Sequence, residues 1–135
     1  MFLIRFRKNI LVKMKTLDEP KAIRLKIMDF LSRREHSSRE ILKKMSNRVE
    51  SKEMLLDSIK ELVDDGLLSD ERFAESYFQS RKNKGYGPLR IRNELKQRGI
   101  GDQIYFSLSN EVDWSKYAFE VLKKKINGDL PTETK

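Results

Sequence analysis

Apolar residues recur along most of the chain at the spacing of a helix, and polar residues occupy the positions between them. Within the segment 73–81, one helical face is apolar and is formed by Phe73, Ala74, Tyr77 and Phe78. Alternation with the period of a β-strand occurs only in a short run from Phe2 to Phe6. The pattern therefore predicts an all-α protein.

Start and stop signals divide this pattern into seven helices. Four glycines follow periodic segments, as residues that end helices do, at positions 66, 85, 99 and 128. Ser37 and Glu40 have the spacing of a capping box. Further starts are expected at Ser51, Ser69, Pro88, Asp102 and Asp113. The predicted helices span 19–34, 38–47, 52–65, 70–84, 88–98, 102–111 and 114–127.

Groups of three helices recur along the chain. A shift of fifty positions aligns Ile23 with Phe73 and Ile41 with Ile91, and a shift of 44 aligns Phe73 with Tyr117. Tandem three-helix repeats predict an elongated body, here with an incomplete third repeat. The predicted regions are a basic N-terminal arm at 1–18, three-helix repeats at 19–66 and 67–112, the first helix of the third repeat at 113–128, and a polar tail at 129–135.

Positive charge is concentrated in one part of the sequence. The formal net charge of the whole chain is +8, and residues 81–98 alone contain seven basic residues and one acidic residue. Such a run indicates a polyanionic partner, although a surface selected for solubility has the same composition. The candidate filament- or nucleic-acid-binding residues are Arg81, Lys82, Lys84, Arg90, Arg92, Lys96 and Arg98.

Arg81 is unusual because it continues the apolar stripe of its helix. One interpretation is that its guanidinium binds the free carbonyl groups at the end of its own helix. The other is that it points outward, toward a phosphate or carboxylate of a partner. The sequence alone leaves both interpretations open.

The residues needed for most catalytic and metal chemistry are scarce. Cysteine is absent, and His36 is the single histidine. No pairing of a nucleophile with a base is recognisable, so we expect a non-enzymatic protein without cofactor or metal. No run is apolar enough for a signal peptide or a membrane span, which predicts a cytoplasmic protein.

One ordered set of residues runs from the end of the first repeat through the second: Gly66, Asp70, Arg72, Phe73, Ala74, Tyr77, Arg81, Gly85, Gly87, Pro88, Arg90, Ile91, Glu94, Leu95, Arg98, Gly99 and Ile100. This set resembles the RecX family, which regulates the bacterial recombinase RecA. The resemblance extends over about residues 20–125 and includes Arg34, His36 and Ser37 of the first repeat. Structural roles are expected for Asp70, Phe73, Ala74, Tyr77, Phe78, Gly85, Gly87, Ile91, Leu95 and Gly99.

The resemblance implies both a fold and a function. RecX proteins consist of tandem three-helix repeats and bind the RecA–DNA filament in its helical groove. They limit filament growth, ATP hydrolysis and strand exchange, and thereby restrain recombination and the SOS response. The implied partners are the RecA filament and single- or double-stranded DNA, directly or within the filament. We expect a monomer. The family pattern has three complete repeats, from which this chain departs.

Two other functions remain compatible with the sequence. A stand-alone DNA-binding module is one, because short helices with a basic second member resemble helix-turn-helix units. Asn93 and Gln97 on the basic helix could then contact base edges. The other is a helical scaffold without a nucleic-acid role, which leaves the basic run unexplained.

Overall fold

The computed structural model describes residues 16–129 and contains seven helices in that range. They are α1 (Pro20–Leu31), α2 (Ser38–Met45), α3 (Lys52–Asp64), α4 (Asp70–Asn83), α5 (Pro88–Gln97), α6 (Asp102–Ser109) and α7 (Trp114–Asp129). The described range has no strand, and its one β-bridge joins Leu17 to Val49. The all-α prediction is confirmed, and each predicted helix boundary lies within three residues of the observed one.

Some predictions concern segments beyond this range. The strand-like run from Phe2 to Phe6, most of the basic arm at 1–18 and most of the polar tail at 129–135 lie outside the described residues. None of the helices in 16–129 combines the length and the apolar character that crossing a bilayer requires.

Side-chain caps set the beginnings of four helices. Ser37 Oγ accepts from the Glu40 N–H at 3.1 Å, and Glu40 Oε1 accepts from the Ser37 N–H at 3.2 Å. The predicted capping box is thus present. Ser51, Ser69 and Asp113 each accept from the backbone N–H three residues later, at 3.1–3.2 Å. Local sequence therefore determines where these helices begin.

The predicted helix ends are correct at three glycines and wrong at the fourth. Positive φ angles occur at the glycines in positions 66, 85 and 99. Gly128, in contrast, lies inside α7, which continues to Asp129. A glycine ends a helix only where it adopts the left-handed conformation, and it can also remain in the last helical turn. Asp102 is the first helical residue of α6, and Gly101 precedes it as the cap.

The chain divides into two compact units, one ending at Phe73 and the other beginning at Ala74. This division does not test the repeat boundaries at 66/67 and 112/113, which stay predictions. The first unit has a core formed by helices α1 to α3 and the loop that follows. Its fully buried aliphatic residues are Ile23, Ile27, Ile41, Met45, Leu55, Leu62 and Leu68.

Polar contacts within the first unit fix the beginning of α2. His36 is buried; its Nδ1–H donates to the Arg34 carbonyl at 3.0 Å, and its Nε2 accepts from Lys44 Nζ at 2.8 Å. Burial lowers the pKa of His36, so the ring stays neutral and keeps this acceptor. Asp70 Oδ1 accepts from the Ser38 N–H at 2.8 Å. Asp70 therefore caps a second helix as well as beginning its own.

The second unit is built from most of α4 and from α5, α6 and α7. Its buried hydrophobic side chains are Ala74, Phe78, Ile91, Leu95, Ile100 and Tyr105. The ring of Phe78 meets Tyr105 edge-on at a centroid distance of 6.3 Å, and Trp114 at 6.0 Å. Tyr105 also donates to the Pro88 carbonyl at 3.0 Å. Phe78 thus joins three helices of this unit at one point.

We predict that Phe78→Ala lowers the free energy of unfolding by about 3–5 kcal/mol, because it removes a large side chain from a packed core. Phe119→Ala is the matched control, since the Phe119 side chain on α7 is 63% exposed. We expect the control to change stability by less than about 0.5 kcal/mol. Urea unfolding followed by circular dichroism measures both, and similar losses in the two variants would contradict the packing described.

Candidate polyanion-binding surface

All seven candidate cations belong to the second unit. Arg81 and Lys82 lie in the last turn of α4, Lys84 follows that helix, and the others lie on α5 or directly after it. Gly87 and Pro88 begin α5, because proline at the first helical position needs no hydrogen-bond partner for its nitrogen. The sequence therefore brings the candidates onto two consecutive helices.

The carboxylate of Glu94 on α5 is the centre of this surface. Arg81 donates two hydrogen bonds to it, from Nε to Oε1 at 2.8 Å and from Nη2 to Oε2 at 3.0 Å. Tyr77 Oη donates to Oε1 at 2.9 Å, and Arg90 Nε donates to Oε2 at 3.0 Å. The side chains of Arg81 and Glu94 are each only 18% exposed. One carboxylate thus connects α4 to α5 through a two-point ion pair.

Aromatic rings enclose the same arginines. The Tyr86 ring centroid lies 4.2 Å from the Arg81 guanidinium carbon and 3.8 Å from that of Arg90. Arg98 lies 4.6 Å from the Tyr77 ring centroid. These are cation–π distances, and such contacts hold the guanidinium groups in fixed orientations.

The environment of Glu94 favours its charged form. Burial raises the pKa of Glu94, but hydrogen bonds from Arg81, Arg90 and Tyr77 outweigh this and lower it to about 2. For Tyr77, burial and the bond to Glu94 both raise the pKa of the phenol. The carboxylate is therefore ionised and the phenol protonated across the physiological range, as the network requires.

The structure gives Arg81 a partner that neither interpretation named. Its guanidinium binds the carboxylate of Glu94, thirteen residues later in the chain, and not the carbonyls at the end of its own helix. The reason is that Glu94 offers a charged two-oxygen acceptor, which binds a guanidinium more strongly than helix-end carbonyls do. The sequence contained a signal for this pairing, because Glu94 is the single acidic residue in 81–98.

Two further arginines are also bound within the unit. Arg92 donates to Asp102 from Nε at 3.0 Å and from Nη2 at 2.8 Å, which joins α5 to the beginning of α6. This hydrogen bonding lowers the pKa of Asp102. Arg98 Nη1 donates to the Glu94 carbonyl oxygen at 2.9 Å. All four candidate arginines are therefore bound within the unit, and the hydrogen bonds of Arg81 and Arg92 join one helix to another.

The three candidate lysines differ from the arginines. In the described part of the chain, no carboxylate lies within ion-pair distance of Lys82, Lys84 or Lys96. Lys84 and Lys96 are exposed, whereas Lys82 is half-buried with its amine 5.6 Å from the Tyr117 ring centroid. These ammonium groups can bind an external anion without breaking an ion pair.

The composition of this surface favours the binding of anions. Within residues 16–129, no group of three or more His, Asp or Glu side chains could hold a metal ion. The chemical groups that converge here are guanidinium, ammonium and phenol groups around one carboxylate. The arrangement is suited to attracting and binding negative charge.

Comparisons with known proteins match most of the chain. A family model described as "RecX, second three-helix domain" matches residues 69–105. "Regulatory protein RecX" of Pseudomonas entomophila is 41% identical over 119 residues, which cover 87% of this chain and 77% of that protein. The protein of the same name from Pseudomonas putida is 40% identical over 119 residues. These residues cover 87% of this chain and 84% of the Pseudomonas putida protein.

Solved structures agree with the fold. One, described as "Crystal structure of regulatory protein RecX", has a TM-score of 0.68 and 24% sequence identity to this chain. The match covers 83% of this chain and 58% of the chain in that structure. The RecX structure from Lactobacillus salivarius has the same TM-score and the same identity. Its match covers 81% of this chain and 73% of the chain in that structure. At this level of identity the likeness supports the tandem three-helix architecture alone.

The depressed pKa of Glu94 predicts a specific acid sensitivity. Its folded-state value of about 2 lies below the ordinary 4.5, so its contribution to stability is present above pH 4.5 and is lost as the pH falls toward 2. We expect the free energy of unfolding of the wild type to fall across this window by up to about 3 kcal/mol more than that of Glu94→Gln. Urea unfolding at a series of pH values measures the difference, and parallel pH profiles would contradict the ion network.

Proposed function

Since this chain belongs to the RecX family, we propose that it regulates the RecA recombinase by binding the RecA–DNA filament. On this proposal it limits RecA ATP hydrolysis, filament growth and strand exchange, and so restrains recombination and the SOS response. It acts in the cytoplasm as a binding protein without catalytic activity. The observation that carries the proposal is the 41% identity to a named RecX regulatory protein over 87% of the chain.

The surface chemistry of the second unit supports this proposal. A nucleoprotein filament carries phosphate groups along its length, and its partner needs cations that are not already neutralised. Lys84 and Lys96 are exposed and lack a carboxylate partner within the described residues. We assign direct contact with the filament to the lysines first. The arginines fix the helices and add to the positive potential.

A second candidate function is binding of naked duplex DNA. Asn93 and Gln97 are exposed on α5, four residues apart, and amide side chains of this kind can bind adenine edges in the major groove. Such a protein would act without RecA. The two functions therefore differ in a direct observable.

The test is RecA ATP hydrolysis on single-stranded DNA, titrated with this protein, beside a gel-shift assay on naked duplex. We expect hydrolysis to fall at protein concentrations that leave the duplex unshifted. Lys84→Glu with Lys96→Glu should raise the inhibitory concentration by about tenfold or more, because two attractive contacts become repulsive.

The matched control reverses two exposed lysines of the first unit. Lys21→Glu with Lys52→Glu makes the same change in net charge, and neither lysine has an ion-pair partner in the described range. We expect the control to inhibit like the wild type. If both double variants lose the same amount of inhibition, the inhibition depends on net charge alone and not on the position of the lysines. Unchanged hydrolysis with a salt-sensitive duplex shift would replace the proposed function by the second candidate.

A further inference from the structure

A cleft of about 720 Å³ lies between the C-terminal end of α4, the turn at residues 84–87, and α7. Lys82 and Lys84 line it from one side, and Lys124 and Lys125 from the other. The two α7 lysines are not among the candidates that the sequence indicated. The cleft therefore joins part of the basic run to a helix outside it.

Direct contacts hold α7 in place beside the turn. Tyr117 Oη lies 2.6 Å from the Lys82 carbonyl oxygen and 2.8 Å from that of Tyr86, so its one proton is shared between two backbone acceptors. Gly85 has a φ of +92°, which favours glycine, and a Cβ there would lie 3.5 Å from Val121 Cγ1. The walls of the cleft are thus fixed by the fold.

The side chains that line this cleft carry a net positive charge. Four lysines and one acidic residue, Glu120, line it. Across the described residues, none of these four lysines has a carboxylate within ion-pair distance. The neighbouring arginines, by comparison, already bind Glu94 and Asp102. The cleft lysines can therefore bind a ligand without breaking an ion pair.

We propose that this cleft binds the phosphodiester backbone of a single-stranded nucleic acid. Ammonium groups bind phosphates as point charges without a fixed orientation, which suits a flexible strand. The cleft has the volume of an ordinary ligand pocket, and one extended backbone can enter it. The inference rests on the proposed function for the source of the strand, which is the DNA within the recombinase filament.

The binding is independent of base sequence. Single-strand binders that stack bases present free aromatic faces, and the two tyrosines that line this cleft do not. The Tyr86 ring is contacted by Arg81 and Arg90, and the Tyr117 ring by Lys82 and by Trp114 at 5.2 Å. The contacts left for a strand are those to its phosphates.

The experiment measures binding of the full chain to fluorescein-labelled oligothymidylate and to an abasic strand of equal length, by fluorescence anisotropy without RecA. Four phosphate contacts predict a slope of roughly −3 for log K against log salt, and two contacts roughly −1.4. Lys124→Glu with Lys125→Glu should weaken binding at least about tenfold and reduce the slope to the smaller value. The abasic strand should bind within about twofold of oligothymidylate, a difference of less than half a kcal/mol.

Two variants separate the cleft from net charge and from folding. The double variant Lys21→Glu with Lys52→Glu changes two residues of the other unit, which are distant in sequence from the cleft. It should bind the strand with the same slope of log K against log salt as the wild type. Tyr117→Phe leaves the charge unchanged but removes the hydroxyl that positions α7, so it should weaken binding and lower the slope. Circular dichroism establishes that each variant remains helical.

Several results would overturn the proposal. The first is that the double variant Lys124→Glu with Lys125→Glu binds the strand as tightly as the wild type does. The second is that the wild type fails to bind the abasic strand. The third is that polyglutamate at equal concentration displaces the strand. The last would assign the cleft to an acidic peptide. Failure of the proposed function is distinguishable, because RecA hydrolysis would then be unaffected while the oligonucleotide binding described here persists.

Discussion

The second unit depends on one carboxylate, that of Glu94. It lies on α5, within the basic run at residues 81–98, and it accepts hydrogen bonds from Tyr77, Arg81 and Arg90. A guanidinium that is 18% exposed needs a partner, because a poorly solvated charge without one destabilises the fold. Without Glu94, α4 and α5 would bring Arg81 and Arg90 together with nothing to neutralise them. The basic run is compatible with a folded unit because of this residue.

The two kinds of basic residue have different roles in this unit. Arginine has a planar group with several donors, which suits a carboxylate in a fixed position, and Arg81, Arg90 and Arg92 are used in this way, while Arg98 donates to a backbone carbonyl. Lysine carries a flexible point charge, and the lysines of the run remain without carboxylate partners in the described range. The net charge of the run therefore overstates what is available to a partner from that run. Lys124 and Lys125 of α7 add to the available charge although they lie outside it.

Features determined by local sequence were the most predictable. The capping box at Ser37 and the glycine helix ends at three of four positions follow from a few adjacent residues. Family membership was also recognisable, because the motif residues occur in order along α4 and α5. The prediction at Gly128 was wrong because the same residue type can remain helical.

Pairings between helices could not be predicted in the same way. The Arg81–Glu94 contact requires α4 and α5 to lie at a particular angle and register, which periodicity does not specify. The cleft depends on a tyrosine hydroxyl that reaches two backbone carbonyls more than thirty residues away. Its lysines on α7 lie outside the basic run from which the sequence candidates were taken. The seven site residues predicted from the charge run remain a prediction, which the structure refines by separating arginines from lysines.

The Arg81–Glu94 pair holds together the helices on which the candidate surface is built. A double-mutant cycle measures this coupling, with urea unfolding of the wild type, Arg81→Gln, Glu94→Gln and the double variant at neutral pH. We predict a coupling energy of about 1.5–3 kcal/mol, the range for hydrogen bonds to charged groups with limited solvent access. A coupling energy below about 0.5 kcal/mol, with the two losses simply additive, would contradict the account.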